Sequence, residues 1–233
     1  VLAGVEDHVF ASNSTYTNPL KAVEFFKKTG VDALAISYGT MHGASKGKDV
    51  KLRKQIPIAI RECLNHEGIR GGLVSHGSST VPRYIVDEIN ALGGNIQNAH
   101  GISLEELKEA IKCGINKINV DTDIRLAVTR NMKELFAGSP KLQESPSIGG
   151  VYRLLEENRD QFDPRVFLPP VMDTVMYGNV PDEDVARLME CVEKGVKEAV
   201  GTLIVQFGAY GKAPLVKQPT LEEMKEFYKN AGC

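Results

Sequence analysis

Residues 73–82 read LVSHGSSTVP, and this stretch decides how the chain around it folds. A short apolar run ends at His76, a glycine and three hydroxyl residues follow, and Pro82 fits the first turn of a helix. A strand, a polar loop and a helix in this order are typical of a βα unit. In such units the loop after the strand carries the chemistry.

The chemistry of this loop has two interpretations. His76 is a candidate metal ligand or base, and Gly77, Ser78 and Ser79 offer N–H groups and hydroxyls to an anion. The alternative is a buried histidine beside an ordinary helix cap, because short motifs often match by chance.

Similar units lie on both sides of this stretch. Residues 31–38 (VDALAISY) form a nearly continuous apolar run, as in a parallel strand buried on both faces, and His42-Gly43 follows it. Residues 115–120 form a third apolar run, which leads into NVDTD at residues 119–123. Three alternations of strand and helix predict a parallel α/β architecture, either a doubly wound sheet or a TIM barrel.

Helices are predicted between and after these strands. Capping signals support them: Asn18 with Pro19, Ser103 with Glu106, and Thr220 with Glu223. Pro57 is expected to kink or split its helix. The predicted helices cover about 19–29, 52–65, 82–92, 104–113, 124–136, 151–160, 181–201 and 220–230, with a turn-rich excursion at 138–150.

The carboxyl ends of parallel strands meet at one edge of a sheet, so His42, His76 and Asn119 are expected to lie close together. Two imidazoles from separate strands are typical zinc ligands, and a third ligand would have to come from elsewhere. The remaining histidines are predicted to have surface roles: His8, His66 and His100.

Residues around this point are suited to anions. Ser78, Ser79 and Thr122 can hydrogen-bond phosphate oxygens, Lys46 supplies positive charge, and Arg125 could reach a second anion.

Composition excludes several classes of protein. The 233 residues are 42% apolar and 25% charged, with a formal charge of −2, which argues against general nucleic-acid binding. No apolar run reaches the roughly 20 residues that span a membrane, and no basic-then-apolar leader opens the chain. Four widely spaced cysteines predict reduced thiols in a cytoplasmic protein.

Three segments resemble class II fructose-1,6-bisphosphate aldolase, in the order of that family and at compatible spacing: GTMHGASKG (39–47), HGSSTVP (76–82) and KINVDTDIRLA (117–127). Shorter likenesses are found at AGVEDHV (3–9), DPR (163–165) and TLEE (220–223). The resemblance implies a (β/α)8 TIM barrel and a zinc-dependent, reversible cleavage of fructose 1,6-bisphosphate to dihydroxyacetone phosphate and glyceraldehyde 3-phosphate, as in glycolysis and gluconeogenesis.

The resemblance also implies roles for single residues. His42 and His76 would be two of three zinc ligands, with zinc polarising the ketone and stabilising the enediolate that Asn119 orients. Arg125 would bind the far phosphate of a phosphorylated ketose. The other phosphate would lie against Gly43, Lys46, Gly77, Ser78, Ser79, Asn119, Asp121 and Thr122. Family members further carry a monovalent cation (Na⁺ or K⁺) and form homodimers or larger homo-oligomers.

The chain departs from the family pattern in what it contains. The third zinc histidine and the aspartate that moves the proton belong to the first half of the barrel, which has no counterpart here. Residues 1–137 are expected to be the C-terminal part of the barrel, with strands six to eight, and residues 138–233 a helical extension. Met41 stands where a small residue is expected, and residues 138–160 and 171–218 are longer than usual.

Other functions stay open at this point. One is the same reaction on tagatose 1,6-bisphosphate or another ketose bisphosphate. Another is a non-catalytic phosphosugar-binding fragment. A third is a metal-dependent TIM-barrel hydrolase, which would need a bridging carboxylate that the sequence does not identify.

Overall fold

The computed structural model describes residues 16–40, 50–178 and 182–230. Within these ranges three parallel strands, β1 (Ala33–Ala35), β2 (Gly72–Ser75) and β3 (Lys117–Ile118), form a sheet in the order β1-β2-β3. Leu34 of β1 aligns with Leu73 of β2, and Val74 aligns with Lys117 of β3. The predicted parallel α/β arrangement is confirmed for this part of the chain.

The outer strands are shorter than predicted. Within the described residues, β1 and β3 each pair with β2 on one side. Beyond the strand ends the pairing continues as single hydrogen bonds, such as the one that Ile36 N donates to Val74 O (3.1 Å). In β1, Leu34 is buried while Ala33 and Ala35 are exposed. The prediction that this strand is buried on both faces is therefore wrong for the described residues, since nothing in them packs on the alanine face.

Helices follow each strand and fill the C-terminal half. They are α1 (Pro19–Thr29), α2 (Gln55–His66), α3 (Arg83–Ala91), α4 (Leu104–Lys112), α5 (Thr122–Gly138), α6 (Gly149–Glu157), α7 (Pro164–Phe167), α8 (Pro169–Tyr177), α9 (Glu183–Gln206) and α10 (Leu221–Asn230). Short 3₁₀ turns cover Pro140–Glu144 and Ala213–Leu215. Two helices, α7 and α8, were not predicted; each begins at a proline, which is well accommodated at the first helical position.

The caps of α1 agree with the sequence. Asn18 Oδ1 accepts hydrogen bonds from the amides of Leu20 (3.0 Å) and Lys21 (3.2 Å), and Gly30 ends the helix at φ +66°. Not every apolar side chain of α1 is buried, because Leu20 and Phe25 face solvent. The buried face consists of Ala22, Val23 and Phe26.

Helix α2 begins at Gln55 instead of residue 52, and Pro57 does not kink it. Pro57 lies in the first turn, where a helix makes no use of the missing N–H. Residue 52 stays outside because its amide donates to Glu106 Oε2 (3.0 Å). That contact leaves the capping box of α4 half-formed: Ser103 Oγ accepts from the Glu106 amide (3.2 Å), but the Glu106 carboxylate faces Leu52 and Lys54.

Helix α5 connects the sheet to the C-terminal helices. Its Leu126 and Ala127 pack with α3, while Met132 and Phe136 pack into a second core with α6 to α9. Helix α9 continues to Gln206, past the predicted end at residue 201. Cys63, Cys113 and Cys191 are free, as predicted, and residue 233 lies outside the described ranges. No helix in the described ranges is both long and apolar enough to cross a membrane.

The crossing of α5 and α9 predicts opposite effects for two glycines of α9. A Cβ at Gly195 would lie 2.9 Å from the backbone of Ala127 and Val128, whereas a Cβ at Gly201 would meet nothing within 4 Å. Gly195→Ala should therefore lower the free energy of unfolding by about 1–3 kcal/mol. Gly201→Ala should raise it by about 0.5–1 kcal/mol, since alanine favours a helix interior.

Denaturant titration of both variants checks this pair. If both substitutions changed the free energy of unfolding by the same amount, the close approach of α5 and α9 at Gly195 would not limit the size of the side chain there.

Candidate functional site

A cavity of about 610 Å³ lies at the carboxyl ends of β2 and β3. It is lined by the predicted site residues His76, Gly77, Ser79, Asn119, Asp121, Thr122 and Arg125. The structure therefore brings together the predicted residues of two strand ends. Three further predicted residues, His42, Gly43 and Lys46, lie outside the described ranges.

Ser78 is placed elsewhere. It is fully buried, and its hydroxyl hydrogen-bonds to Ser75 Oγ (2.6 Å), which in turn hydrogen-bonds to Tyr38 OH (2.5 Å). Burial raises the pKa of Tyr38 to about 12, so the phenol stays protonated as a partner in this chain. The Ser78 hydroxyl thus ties the loop to the core and does not line the cavity.

Asn119 links the imidazole of His76 to the ammonium of Lys117. Its Oδ1 accepts a hydrogen bond from Lys117 Nζ, and its Nδ2 lies 3.0 Å from His76 Nε2. Because the ammonium can only donate, this network assigns the amide oxygen to Lys117 and the amide N–H to His76. With this orientation the amide N–H of Asn119 is directed at the His76 ring, and the two side chains meet at the cavity.

The loop after β2 contacts the N-terminus of α5. Ser79 Oγ accepts hydrogen bonds from the amides of Asp121 (3.3 Å) and Thr122 (3.1 Å). Gly77 has φ +61°, a left-handed conformation that glycine adopts without strain. Helix N-termini favour anions, so the cavity has a suitable wall for a phosphate.

Two arginines also line the cavity, and Asp163 pairs with both. Arg125 pairs with Asp163 (2.5 Å) and with Asp121 (2.6 Å), and Arg165 pairs with Asp163 (2.6 Å). The hydrogen bond from the Arg165 side chain is the largest cause that lowers the pKa of Asp163, and burial opposes it. The carboxylate stays ionised and orients both guanidinium groups at the cavity.

Sequence reasoning missed Lys117, Phe162 and Arg165 as cavity residues. Lys117 and Arg165 occur within segments that resembled the family, which was an available signal. The position of Phe162 carried no such signal, because it depends on how the segment before α7 folds back over α5.

The described residues test the metal prediction in part. Among residues 16–40, 50–178 and 182–230 no three His, Cys, Asp or Glu side chains converge to hold a metal ion. The imidazole of His76, which lines the cavity, is the kind of donor that zinc takes. One predicted ligand therefore fits, and His42 lies in a segment that the structure does not describe.

Comparison with known proteins identifies similar chains. The family model "Fructose-bisphosphate aldolase class-II" matches residues 1–212. The plasmid fructose-bisphosphate aldolase of Cupriavidus necator is 33% identical over 97% of this chain and 56% of its own length. The fructose-bisphosphate aldolase of Thermus caldophilus is 38% identical over 75% of this chain and 50% of its own length. The chain thus spans about half the length of these relatives.

A solved structure is also similar. The fructose-bisphosphate aldolase of Campylobacter jejuni matches 87% of this chain and 47% of its own, with a TM-score of 0.50 and 17% identity. At this identity the likeness shows the fold alone. It agrees with an α/β chain that forms part of a TIM barrel.

The position of Asp163 predicts a pH-dependent loss of stability. Its pKa is lowered from 3.8 in the folded state, so its contribution is complete above pH 3.8 and disappears as the pH falls through the lower, folded value. At pH 7, Asp163→Asn should lower the free energy of unfolding by about 1–3 kcal/mol, because hydrogen bonds to a charged group are lost. The variant and the parent protein should converge as the pH falls through the lowered pKa of Asp163.

Denaturant titrations between pH 3 and pH 7 measure this difference. Asp160→Asn, at an exposed position three residues away, is the matched control and should change little at any pH. A difference between Asp163→Asn and the parent that is independent of pH would contradict the assignment.

Proposed function

The chain belongs to the class II fructose-bisphosphate aldolase family, whose model matches residues 1–212, and from this premise we propose that the complete protein cleaves fructose 1,6-bisphosphate by a reversible aldol reaction. The products are dihydroxyacetone phosphate and glyceraldehyde 3-phosphate. The observation that carries the proposal is the cavity itself. Its lining combines the His76–Asn119–Lys117 network with the start of α5 and a pair of arginines.

His42 and His76 are the residues that would hold zinc, together with a ligand from the part of the barrel that precedes this chain. A bound zinc ion supplies a Lewis acid for the ketone oxygen of the substrate. The support within this chain is that the imidazole of His76 lines the cavity.

Asn119 orients the enediolate that forms when the C3–C4 bond breaks. Its side-chain N–H groups face the cavity next to His76, and Lys117 fixes the amide through Oδ1. A donor held in place before the reaction stabilises developing negative charge without a cost of reorientation. The aspartate that moves the proton belongs to the preceding part of the barrel.

One substrate phosphate binds at the loops after the strands. Gly77, Ser79, Asp121 and Thr122 line the cavity beside the start of α5, which supports this assignment, and the family pattern adds Gly43 and Lys46. The same glycine loops are the place for a monovalent cation, Na⁺ or K⁺.

The second phosphate binds at Arg125, with Arg165 beside it. Asp163 pairs with both side chains, so two guanidinium groups lie together at the cavity. These two cations, in addition to the loop after β2, favour a bisphosphate over a monophosphate ketose.

The architecture is proposed from the same relation. β1, β2 and β3 correspond to strands six to eight of the barrel, residues 1–137 to its C-terminal part and residues 138–233 to a helical extension. The parallel order of the three strands supports the first part, and the core that α5 shares with α6 to α9 supports an extension packed against it. A cytoplasmic homo-oligomer, with a phosphorylated ketose as its partner, is the form expected from the family.

Aldol cleavage by the complete protein tests the function. Cleavage of fructose 1,6-bisphosphate should be lost after treatment with EDTA and return when zinc is added. A coupled assay for dihydroxyacetone phosphate measures it. Activity that survives complete chelation would overturn the zinc mechanism, and a larger kcat/KM for tagatose 1,6-bisphosphate would reassign the substrate.

Zinc affinity tests the role of His76 separately from turnover. His76→Ala should weaken zinc binding by more than the roughly 10- to 100-fold that loss of a hydrogen-bond partner of a ligand costs. His66→Ala, at the exposed end of α2, is the matched control and should leave affinity unchanged. Competition with a chromophoric chelator gives both values, and equal affinities would exclude His76 as a ligand.

A further inference from the structure

Asp123 makes its hydrogen bonds to the loop after β2. It is the second residue of α5 and is only 2% exposed. Its Oδ2 accepts from the amide (3.1 Å) and hydroxyl (2.7 Å) of Thr80, and its Oδ1 accepts from the amide of Val81 (2.9 Å). Both carboxylate oxygens are therefore committed to two consecutive residues of that loop.

The loop is strained at one of these residues. Val81 has φ +51°, a left-handed conformation that a β-branched residue adopts only where its surroundings hold it. Its side chain is 5% exposed and packs in the core with Ile85 and Ala127. Its amide donates to Asp123, so the hydrogen bond and the strained dihedral belong to the same peptide unit.

The backbone of the loop is also confined from the other side. The amide of Ile102 donates to the Ser79 carbonyl (3.0 Å), and a Cβ at Gly101 would lie 2.2 Å from the carbonyl carbon of Thr80. Residues 79–81 thus have little freedom to shift without losing one of these contacts.

A second set of hydrogen bonds joins the same two segments, with the donors at the start of α5 and the acceptor in the loop after β2. Ser79 Oγ accepts from the amides of Asp121 and Thr122, while Asp123 accepts from Thr80 and Val81. The loop after β2 and the start of α5 therefore hold each other. Both Ser79 and Thr122 line the cavity, so this reciprocal contact sets the relative position of the two phosphate-binding segments.

We propose that Asp123 is a positioning residue for phosphate binding: it holds Val81 in its left-handed conformation and thereby keeps Ser79 and Gly77 at the cavity. The inference rests on the proposed function for the identity of the substrate. An asparagine cannot replace the carboxylate, because its Nδ2 would face an N–H group of Thr80 or Val81.

Asp123→Asn in the complete, zinc-loaded protein tests this. The KM for fructose 1,6-bisphosphate and the inhibition constant of inorganic phosphate should both rise about tenfold or more, since hydrogen bonds to a buried charge are lost. The kcat and the zinc content should change much less, because Asp123 touches neither the reacting carbon atoms nor His76. Asp173→Asn on the exposed face of α8 is the control for loss of a carboxylate and should change none of these values.

A rescue distinguishes positioning from a general loss of stability. Adding Val81→Gly to Asp123→Asn removes the cost of the left-handed dihedral, so KM and the phosphate inhibition constant should move back toward the parent values. If Asp123 only stabilised the fold, the second substitution would remove a buried side chain and make the variant worse. Values that do not recover would overturn the proposal, as would an unchanged KM in Asp123→Asn.

Two further readouts cover other outcomes. The first, Thr80→Val, applies if Asp123→Asn does not fold, and the second, amide exchange, applies if the substrate is a different one. Thr80→Val removes only the hydroxyl donor and should raise the inorganic phosphate constant by about two- to fivefold, given the loss of one such bond. Amide exchange at residues 80 and 81 should be slow in the parent protein and faster in Asp123→Asn, whatever the substrate. Slow exchange in both would overturn the positioning role, whereas a parent protein that binds phosphate without aldol cleavage would overturn only the proposed function.

Discussion

The parallel pairing of β2 with a strand on either side is the constraint on which the site depends. Parallel strands end at the same edge of a sheet, so the segments after β2 and β3 must lie side by side. The register Ser75 to Ile118 places the residues that follow each strand directly opposite one another. His76 and Asn119 meet for this reason, although 43 positions separate them in the sequence.

Each wall of the cavity is stabilised by groups that do not themselves face a substrate. Asp163 fixes the two arginines, Ser78 ties the loop after β2 to the core through Ser75, and Asp123 holds the backbone of Thr80 and Val81. Such supporting contacts reduce the freedom of the residues at the cavity before any ligand binds. When the side chains of a site are ordered before the ligand binds, less of the binding free energy is lost in ordering them.

Several expectations from local pattern failed because a tertiary contact competed with the pattern. The Glu106 carboxylate accepts a hydrogen bond from the Leu52 amide and does not complete the capping box of its own helix. Because the Leu52 amide is engaged in this way, α2 begins after residue 52. Leu20 matches a helical apolar period yet faces solvent, because the buried face of α1 is centred on Val23 and Phe26. The period of a helix limits which residues share a face but does not say which face meets the core.

The sequence by itself determined the alternation of strands and helices, the family, and the polar residues at the ends of β2 and β3, because these follow from local periodicity and from motifs a few residues long. Only the tertiary structure decided how those residues are used. Ser78 and Ser79 are adjacent and chemically alike, yet one hydroxyl points to the core and the other meets the start of α5. The contacts of Ser79 with Thr122 and of Asp123 with Val81 join segments more than forty positions apart, which no local pattern encodes.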